Sequence, residues 1–487
     1  MKQNLLHIEV FPIVMAVLLT AAHAEDWTRF RGPNGSGVSK NTGFPIEFGK
    51  DKNAAWRTPV RRGKSSPVLT PLYVFLTASE NEKLFTLCFD RKSGKLVWER
   101  VLDRPRHEDR NKLNEPASIT PVTDGQNAYV FFKDYGLISY DAAGNLRWKV
   151  PLGPFSNSWG LAASPVIGAD VIVLQIDQLR ESYVAAFDHR NGEIRWKTPR
   201  LEHESWATPL LYRPLDGKLL LLTVGWGQLG AHLLESGKRV GSVTGLPPAV
   251  VASPVLDGDT VFAFGYGMES VAPFSNVLTT LDKNHDGQLS ANEYGDEAFL
   301  VGIANLRGNR DGIVTKEEWD ASFQDFMGPS GLWAFRLERA PAASSGPSIR
   351  LRELWRYEKD FTSVIPSPLL YEGVLYVLRN GGILTALDPE TGMVLKTGRV
   401  EGAVGGYSAS PVAAEGKIFL ASEDGKVAVV HAGKDWKVLA VNDIGENCYA
   451  TPALSEGEIY LRTDEALYRF GTHDRDPSVL RQTKRAD

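Results

Sequence analysis

Between residues 282 and 293 the chain places an oxygen donor at almost every second position: Asp282, Asn284, Asp286, Gln288 through its backbone carbonyl, Ser290 and finally Glu293. Donors at positions one, three, five, seven, nine and twelve of a twelve-residue loop are the set that wraps calcium, a hard cation that takes about six to eight oxygens. Glu293 can bind with both carboxylate oxygens, and Ser290 acts through water. Gly287 at position six permits the sharp turn, and Leu289 at position eight is placed to pair with a second loop. This spacing predicts calcium binding rather than a polar surface turn.

The second loop runs from Arg307 to Glu318, with Asn309, Asp311, the Ile313 carbonyl, Thr315 and Glu318 in register. Arg307 stands where an acidic ligand is expected, so it removes an oxygen and adds a positive charge. This degenerate loop is expected to be a structural partner with weak or no calcium, joined to the first through Leu289 and Val314. Helices are predicted over Pro273–Leu281, Asn292–Asn305 and Lys316–Met327. Trp319, Phe323 and Phe326 recur at helical spacing and read as the core of this small unit.

The frame around these loops is a repeat. Ser66-Pro67, Thr120-Pro121, Ser164-Pro165, Thr208-Pro209, Ser253-Pro254, Ser367-Pro368, Ser410-Pro411 and Thr451-Pro452 each open a strand-like stretch. The intervals are 54, 44, 44, 45, 114, 43 and 41 residues. A period in the low forties with four short strands per unit predicts an all-β propeller of four-stranded antiparallel blades. Eight blades is the reading, with seven the alternative if one weak repeat is misread. The long interval is one repeat plus the loop pair, inserted between the second strand (Thr260–Gly267) and third strand (Gly331–Glu338) of blade five. That hairpin shares a face with the segments leading into each first strand.

Each repeat ends in an Asp turn with Gly and a strand centred on Trp, as in Asp90 to Trp98 and Asp188 to Trp196. Gly supplies the positive φ and Trp buries a large face against the next blade, so these residues read as structural. Leu395 stands where blade six should have Trp. The last repeat has only three strands, and Ala54-Ala55-Trp56-Arg57 copies the outer-strand pattern, so it is expected to close the ring.

The domains read as a signal peptide over 1–24, a leader over 25–53, the propeller over 54–269 and 329–471, the insertion over 270–328 and a disordered tail over 472–487. Ala22-His23-Ala24 resembles a cleavage signal after a short apolar run, which predicts export to the periplasm or beyond. No cysteine precedes Cys88, so no lipid anchor is expected, and no segment is long and apolar enough for a transmembrane helix. A net charge of −5 gives no footprint for nucleic acid. Cys88 and Cys448 could pair across the closing blades, but their strand positions favour separate buried thiols.

The Ser/Thr-Pro, Asp-turn and Trp pattern resembles the pyrroloquinoline quinone (PQQ) type propeller repeat, shared by quinoprotein alcohol dehydrogenases and BamB-like assembly propellers. Trp27-Thr28-Arg29-Phe30-Arg31-Gly32-Pro33 is similar to the leader of exported proteins with this repeat, and the insertion resembles an EF-hand pair. The resemblance implies ligand binding on the face of the lead-in segments. Asn114-Glu115, Ser158-Trp159-Gly160, Glu204-Ser205-Trp206, Tyr407-Ser408 and Asn447-Cys448-Tyr449 could there hold a planar cofactor or sugar, or simply pack the blades. The adjacent cysteine pair of the quinoprotein enzymes is missing, and no Ser-His-Asp or His-Glu-x-x-His motif is present. The resulting expectation is a non-catalytic, monomeric scaffold with calcium and a protein or glycan partner on the propeller face. A PQQ-dependent dehydrogenase and a calcium-dependent carbohydrate-binding module are the alternatives.

Overall fold

The computed structural model describes residues 27–471 apart from 108–113, 215–216, 269, 307, 325–326, 341–348 and 360–364. The expected signal peptide, the tail, Arg307 and Phe326 therefore lie outside the described residues. Eight four-stranded antiparallel sheets follow one another in chain order, and the eighth is completed by Ala54–Pro59 pairing with Ala466–Phe470. Eight blades and the N-terminal closing strand are thus as the sequence predicts.

Middle strands such as Ala128–Phe132 and Gly136–Tyr140 are buried at every residue, because neighbouring blades cover both faces. Outer strands such as Leu146–Pro151 bury only their Trp, here Trp148, and leave the other residues partly or fully exposed. Every blade carries a register shift where its third and fourth strands pair, beside the position of the repeat's Trp. Such a bulge re-aims the side chain that follows it. Trp98 consequently reaches the next blade, donates from Nε1 to the Ala142 carbonyl at 2.9 Å, and covers Gly144. A β-carbon at Gly144 would stand 2.7 Å from the Trp98 ring, so glycine is required by this contact as well as by its φ of 80°. Trp56, Trp148, Trp196 and Trp355 repeat the contact. The register puts Lys396, not the expected Leu395, at the Trp position of blade six, because Lys396 pairs with Ala386 as Trp196 does with Ala186. Trp436 packs back from the turn of blade seven against Gly398, and Lys396 donates to its carbonyl at 2.7 Å.

The Ser/Thr-Pro residues form a ring around the axis. Each backbone N–H donates to the hydroxyl of the next blade's Ser or Thr, from Ser66 to Thr120 (3.0 Å) around to Thr451 and back to Ser66 (3.0 Å). The repeat's first residue is therefore the stitch between blades. Proline after it opens the strand, where it has no N–H to leave unpaired.

The leader plugs the channel on the far side of this ring. Three residues below the ring, Leu69 and Thr123 donate to the Trp27 and Thr28 carbonyls, both at 2.9 Å. Asn34 exchanges two bonds with Leu211, and Gly37 accepts from Ala413. Both cysteines are free and fully buried, as separate thiols. Burial pushes the Cys448 thiol up to about 12, so it stays protonated.

Between Thr260–Gly265 and Gly331–Arg339 of blade five the chain forms four helices: α1 (Phe274–Leu281), α2 (Ala291–Tyr294), α3 (Ala298–Leu306) and α4 (Lys316–Gln324). The single helix expected over Asn292–Asn305 is two, because Gly295 turns with φ of 54° between them. Phe274, Leu289, Val314 and Trp319 form a core of their own. Trp319 is thus a core residue, as its spacing suggests. Among the described residues no helix is long and apolar enough to cross a membrane.

Candidate functional site

The segments leading into the first strands surround the open end of the channel. Two tiers of side chains and the Phe30 floor enclose about 140 Å³. The lower tier is the hydroxyl ring. The upper tier, two residues earlier in each blade, divides into contiguous halves. Ser408, Tyr449, Lys64 and Ser118 make a polar arc on blades seven, eight, one and two; Ala162, Trp206, Val251 and Ile365 make an apolar arc on blades three to six.

Most of the polar residues singled out in the lead-in segments hold those segments together. Asn114 donates to the carbonyls of Trp159, Gly160 and Leu161 at 2.9, 2.7 and 3.1 Å. Glu204 accepts from the Ser158 N–H. Trp206 donates to the Gly160 carbonyl at 3.0 Å and is nearly buried, which makes it a packing residue with one edge in the cavity. Tyr407 is fully buried and donates to the Ala403 carbonyl at 2.6 Å. Trp159, in contrast, is 38% exposed. The Lys64 ammonium lies 4.3 Å from the Tyr449 ring centre and 3.5 Å from Glu115.

One buried network has no motif to announce it. Asp177 and Arg200, both fully buried, meet through Nε–Oδ1 at 2.6 Å and Nη2–Oδ2 at 3.1 Å. Arg200 also donates to Thr223 at 2.6 Å, while Arg239 grips both oxygens of Glu202 at 2.8 and 3.1 Å. Burial pushes the Asp177 carboxyl up, against the pull of Arg200. Next to this network, burial and the Arg200 charge lower the His232 imidazole to about 4, so it is neutral at physiological pH.

The insertion stands on this same face. Its stem is held by a bridge between Met268 and Met327, and Tyr266 and Met268 pack against Trp206 and Ala249. Gly302 in α3 lies against the lead-in of blade three, where a β-carbon would be 3.1 Å from Ser158 Cβ. The insertion thus reaches from blade five towards blade three, beside the cavity.

Within it, the first loop gathers its candidate oxygens by bonding them to its own backbone. Asp282 accepts from the His285 and Gly287 N–H groups (2.7 and 3.0 Å), Asn284 from Asp286 (3.0 Å), and Asp286 from Gln288 (2.9 Å). Glu293 folds back so that Oε1 accepts from Lys283 (3.0 Å) and Oε2 from the Ser290 N–H and hydroxyl (2.8 and 2.7 Å). These Ser290 bonds hold its carboxyl down at about 2, so it is ionised. The second loop repeats the pattern: Asp311 accepts from Ile313 at 2.9 Å, and Glu318 from Asn309 at 3.0 Å and Thr315 at 3.1 Å. Leu289 and Val314 exchange backbone bonds at 3.0 and 2.8 Å. Among the described residues no three His, Cys, Asp or Glu side chains converge as a metal cluster. The oxygen-only chemistry of the first loop fits calcium when the Asn284 amide and Gln288 carbonyl complete the set.

A PQQ site is not supported by the same test. Ligand pockets of that class hold roughly 300 Å³ or more, against about 140 Å³ here, and among the described residues no carboxylate lines the cavity to share a metal ion with a quinone.

Three comparisons place this geometry. Residues 85–283 and 332–476 match the family described as outer membrane protein assembly factor BamB. The interruption in that match, residues 284–331, covers most of the insertion. The BamB of Bordetella pertussis is 27% identical over 188 residues, covering 37% of this chain and 44% of that protein, less than half its length. The BamB of Shewanella oneidensis is 21% identical over 357 residues, covering 70% and 78%. The crystal structure of BamB from Moraxella catarrhalis covers 85% of this chain and all (100%) of its own at 14% identity, with a TM-score of 0.52, which supports the fold. With a closed eight-bladed ring and a family match over most of its length, the chain belongs to the family of the outer membrane protein assembly factor BamB.

Proposed function

We propose that this chain acts outside the cytoplasm as a non-catalytic scaffold, holding a protein partner on its mouth face beside a calcium-loaded EF-hand insertion. The observation that carries this reading is the state of the carboxylates on that face. Asp177 and Glu202 are committed to arginines and Glu204 to a backbone N–H. Among the described residues no carboxylate lines the cavity itself to serve as the acid or base a catalyst would require. What the face does present is shape and apolar surface, with Trp159 and Val404 exposed among the lead-in segments. Its relatives carry the name of outer membrane protein assembly factors, which makes a protein client the partner of choice and export, through the segment over 1–24, the expected route.

Calcium in this reading is held by Asp282, Asn284, Asp286, Gln288, Ser290 and Glu293. Asn309, Asp311, Ile313, Thr315 and Glu318 brace that loop without an ion of their own. The ion fixes the insertion where it borders the cavity.

The test is binding of the chain from residue 25 onward to an unfolded outer-membrane β-barrel polypeptide, with calcium or with chelator. Saturable binding that weakens at least fivefold in Val404→Glu, in chelator, or on removal of 270–328 is expected. Absence of binding, together with alcohol oxidation on adding PQQ and calcium, would overturn the scaffold reading.

A further inference from the structure

The hydroxyl ring has a chemical property that its stitching role does not use. Each of the eight hydroxyls accepts one backbone N–H, each residue is at most 5% exposed, and among the described residues none of the eight donates its own hydrogen. All eight line the channel cavity. A hydroxyl that accepts a hydrogen bond becomes a better donor. The channel therefore contains a closed belt of buried O–H donors that need acceptors.

Two buried cations lie one residue below this belt. Arg29 Nη2 donates to the Pro209 carbonyl at 2.8 Å and Arg31 Nη2 to the Pro368 carbonyl at 2.6 Å, immediately after Thr208 and Ser367 of the ring. Arg31 Nε and Nη1 and Arg29 Nε have no partner, and neither guanidinium has a carboxylate among the described residues. Burial lowers Arg29 to about 10, and burial together with the charge of Arg29 lowers Arg31 to about 9, which still leaves both charged near neutrality. Uncompensated buried charge is costly, so this side of the channel favours an anion. Lys64, on the opposite arc, already faces Glu115 and does not supply that preference.

The apolar arc stands over the same blades. Trp206, Val251 and Ile365 are two residues above Thr208, Ser253 and Ser367. From this alignment we propose that the channel mouth binds a small organic monocarboxylate. Its carboxylate sits on the Thr208, Ser253 and Ser367 hydroxyls above the two arginines, and its apolar body rises along Trp206, Val251 and Ile365. A cavity of about 150 Å³ accepts a benzene ring, so the 140 Å³ available sets the body at about one ring or a short branched chain. The site stands independently of partner binding on the outer face.

The probe is 4-fluorobenzoate, followed by ¹⁹F NMR on the chain from residue 25 onward. Saturation with Kd at or below about 1 mM is expected for a ligand of this size. 4-Fluorobenzyl alcohol, with the same body and no charge, should bind at least tenfold more weakly, and so should acetate, which has the head alone. Val251→Glu puts a like charge on the half-exposed apolar arc and should weaken 4-fluorobenzoate at least tenfold without changing the circular-dichroism spectrum. Ile365→Glu repeats the test should Val251→Glu unfold. No saturation by 10 mM would overturn the proposal. So would equal binding of the alcohol, or undiminished binding by a folded Glu variant.

Discussion

The ring and the insertion use polar groups in opposite ways. In the ring, Ser66, Thr120 and their equivalents satisfy one another's backbone around a closed circle, and each Trp closes a junction to the next blade. That order is complete in the polypeptide alone. In the insertion, Asp282, Asp286 and Glu293 bring formal negative charge into one loop whose partners are uncharged: backbone N–H groups, the Asn284 amide and the Ser290 hydroxyl. Like charges at that spacing repel unless a cation joins them. The difference teaches that the propeller meets its polar groups within the polypeptide, whereas the first loop of the insertion concentrates negative charge that, in the function proposed above, a calcium ion balances.

Breaking the ring should therefore leave calcium alone, and the reverse. Trp98→Ala removes a whole Trp contact from one junction and should cost about 3–5 kcal/mol, read as a lower urea midpoint with calcium affinity unchanged. Thr120→Val keeps the shape but strips the acceptor from the Ser66 N–H. An unpaired buried N–H costs about 1–3 kcal/mol, so a smaller fall in the same midpoint is expected. Glu293→Gln should weaken calcium at least tenfold while the urea midpoint of the propeller stays within error. If Glu293→Gln unfolds the propeller instead, the two regions are not independent and the comparison fails.

A gentler probe is pH. His232 donates from Nδ1 to the Gly237 carbonyl at 3.2 Å and is held neutral by burial and the Arg200 charge. Its folded value of about 4 lies below the ordinary 6.5, so the unfolded chain takes up the proton first. The stability it contributes is complete above pH 6.5 and declines as pH falls towards 4. His232→Gln should flatten that part of the pH–stability curve, measured by urea denaturation at half-unit steps.

The sequence made the ring legible because its signal is periodic. Ser/Thr-Pro, the Asp-Gly turn and Trp recur at one spacing, and each copy corroborates the others. The hydrogen-bonded turns of the first loop were legible for a different reason, since twelve consecutive residues carry the whole pattern. What escaped lacks both properties. The leader's Arg29, Phe30 and Arg31 occur once, and nothing near them says that Phe30 floors a channel or that the arginines enter it. The Asp177–Arg200 and Glu202–Arg239 pairs join residues that lie 23 and 37 apart in the chain, mostly just outside the strands, and no local spacing announces them. Trp436 packs at the blade-six junction from the opposite side, where the Trp position itself holds Lys396, one residue past the Leu395 that the repeat pattern suggests. The break between α2 and α3 follows from Gly295 alone, inside a stretch whose apolar residues keep helical spacing.

The most direct test of the account is a calorimetric titration of the metal-free chain from residue 25 onward with calcium. One ion per chain, abolished by Glu293→Gln and unaffected by Glu318→Gln, is the predicted result. A flat titration of the unsubstituted chain, or one ion that survives Glu293→Gln, would contradict the claim that the first loop is this protein's calcium site.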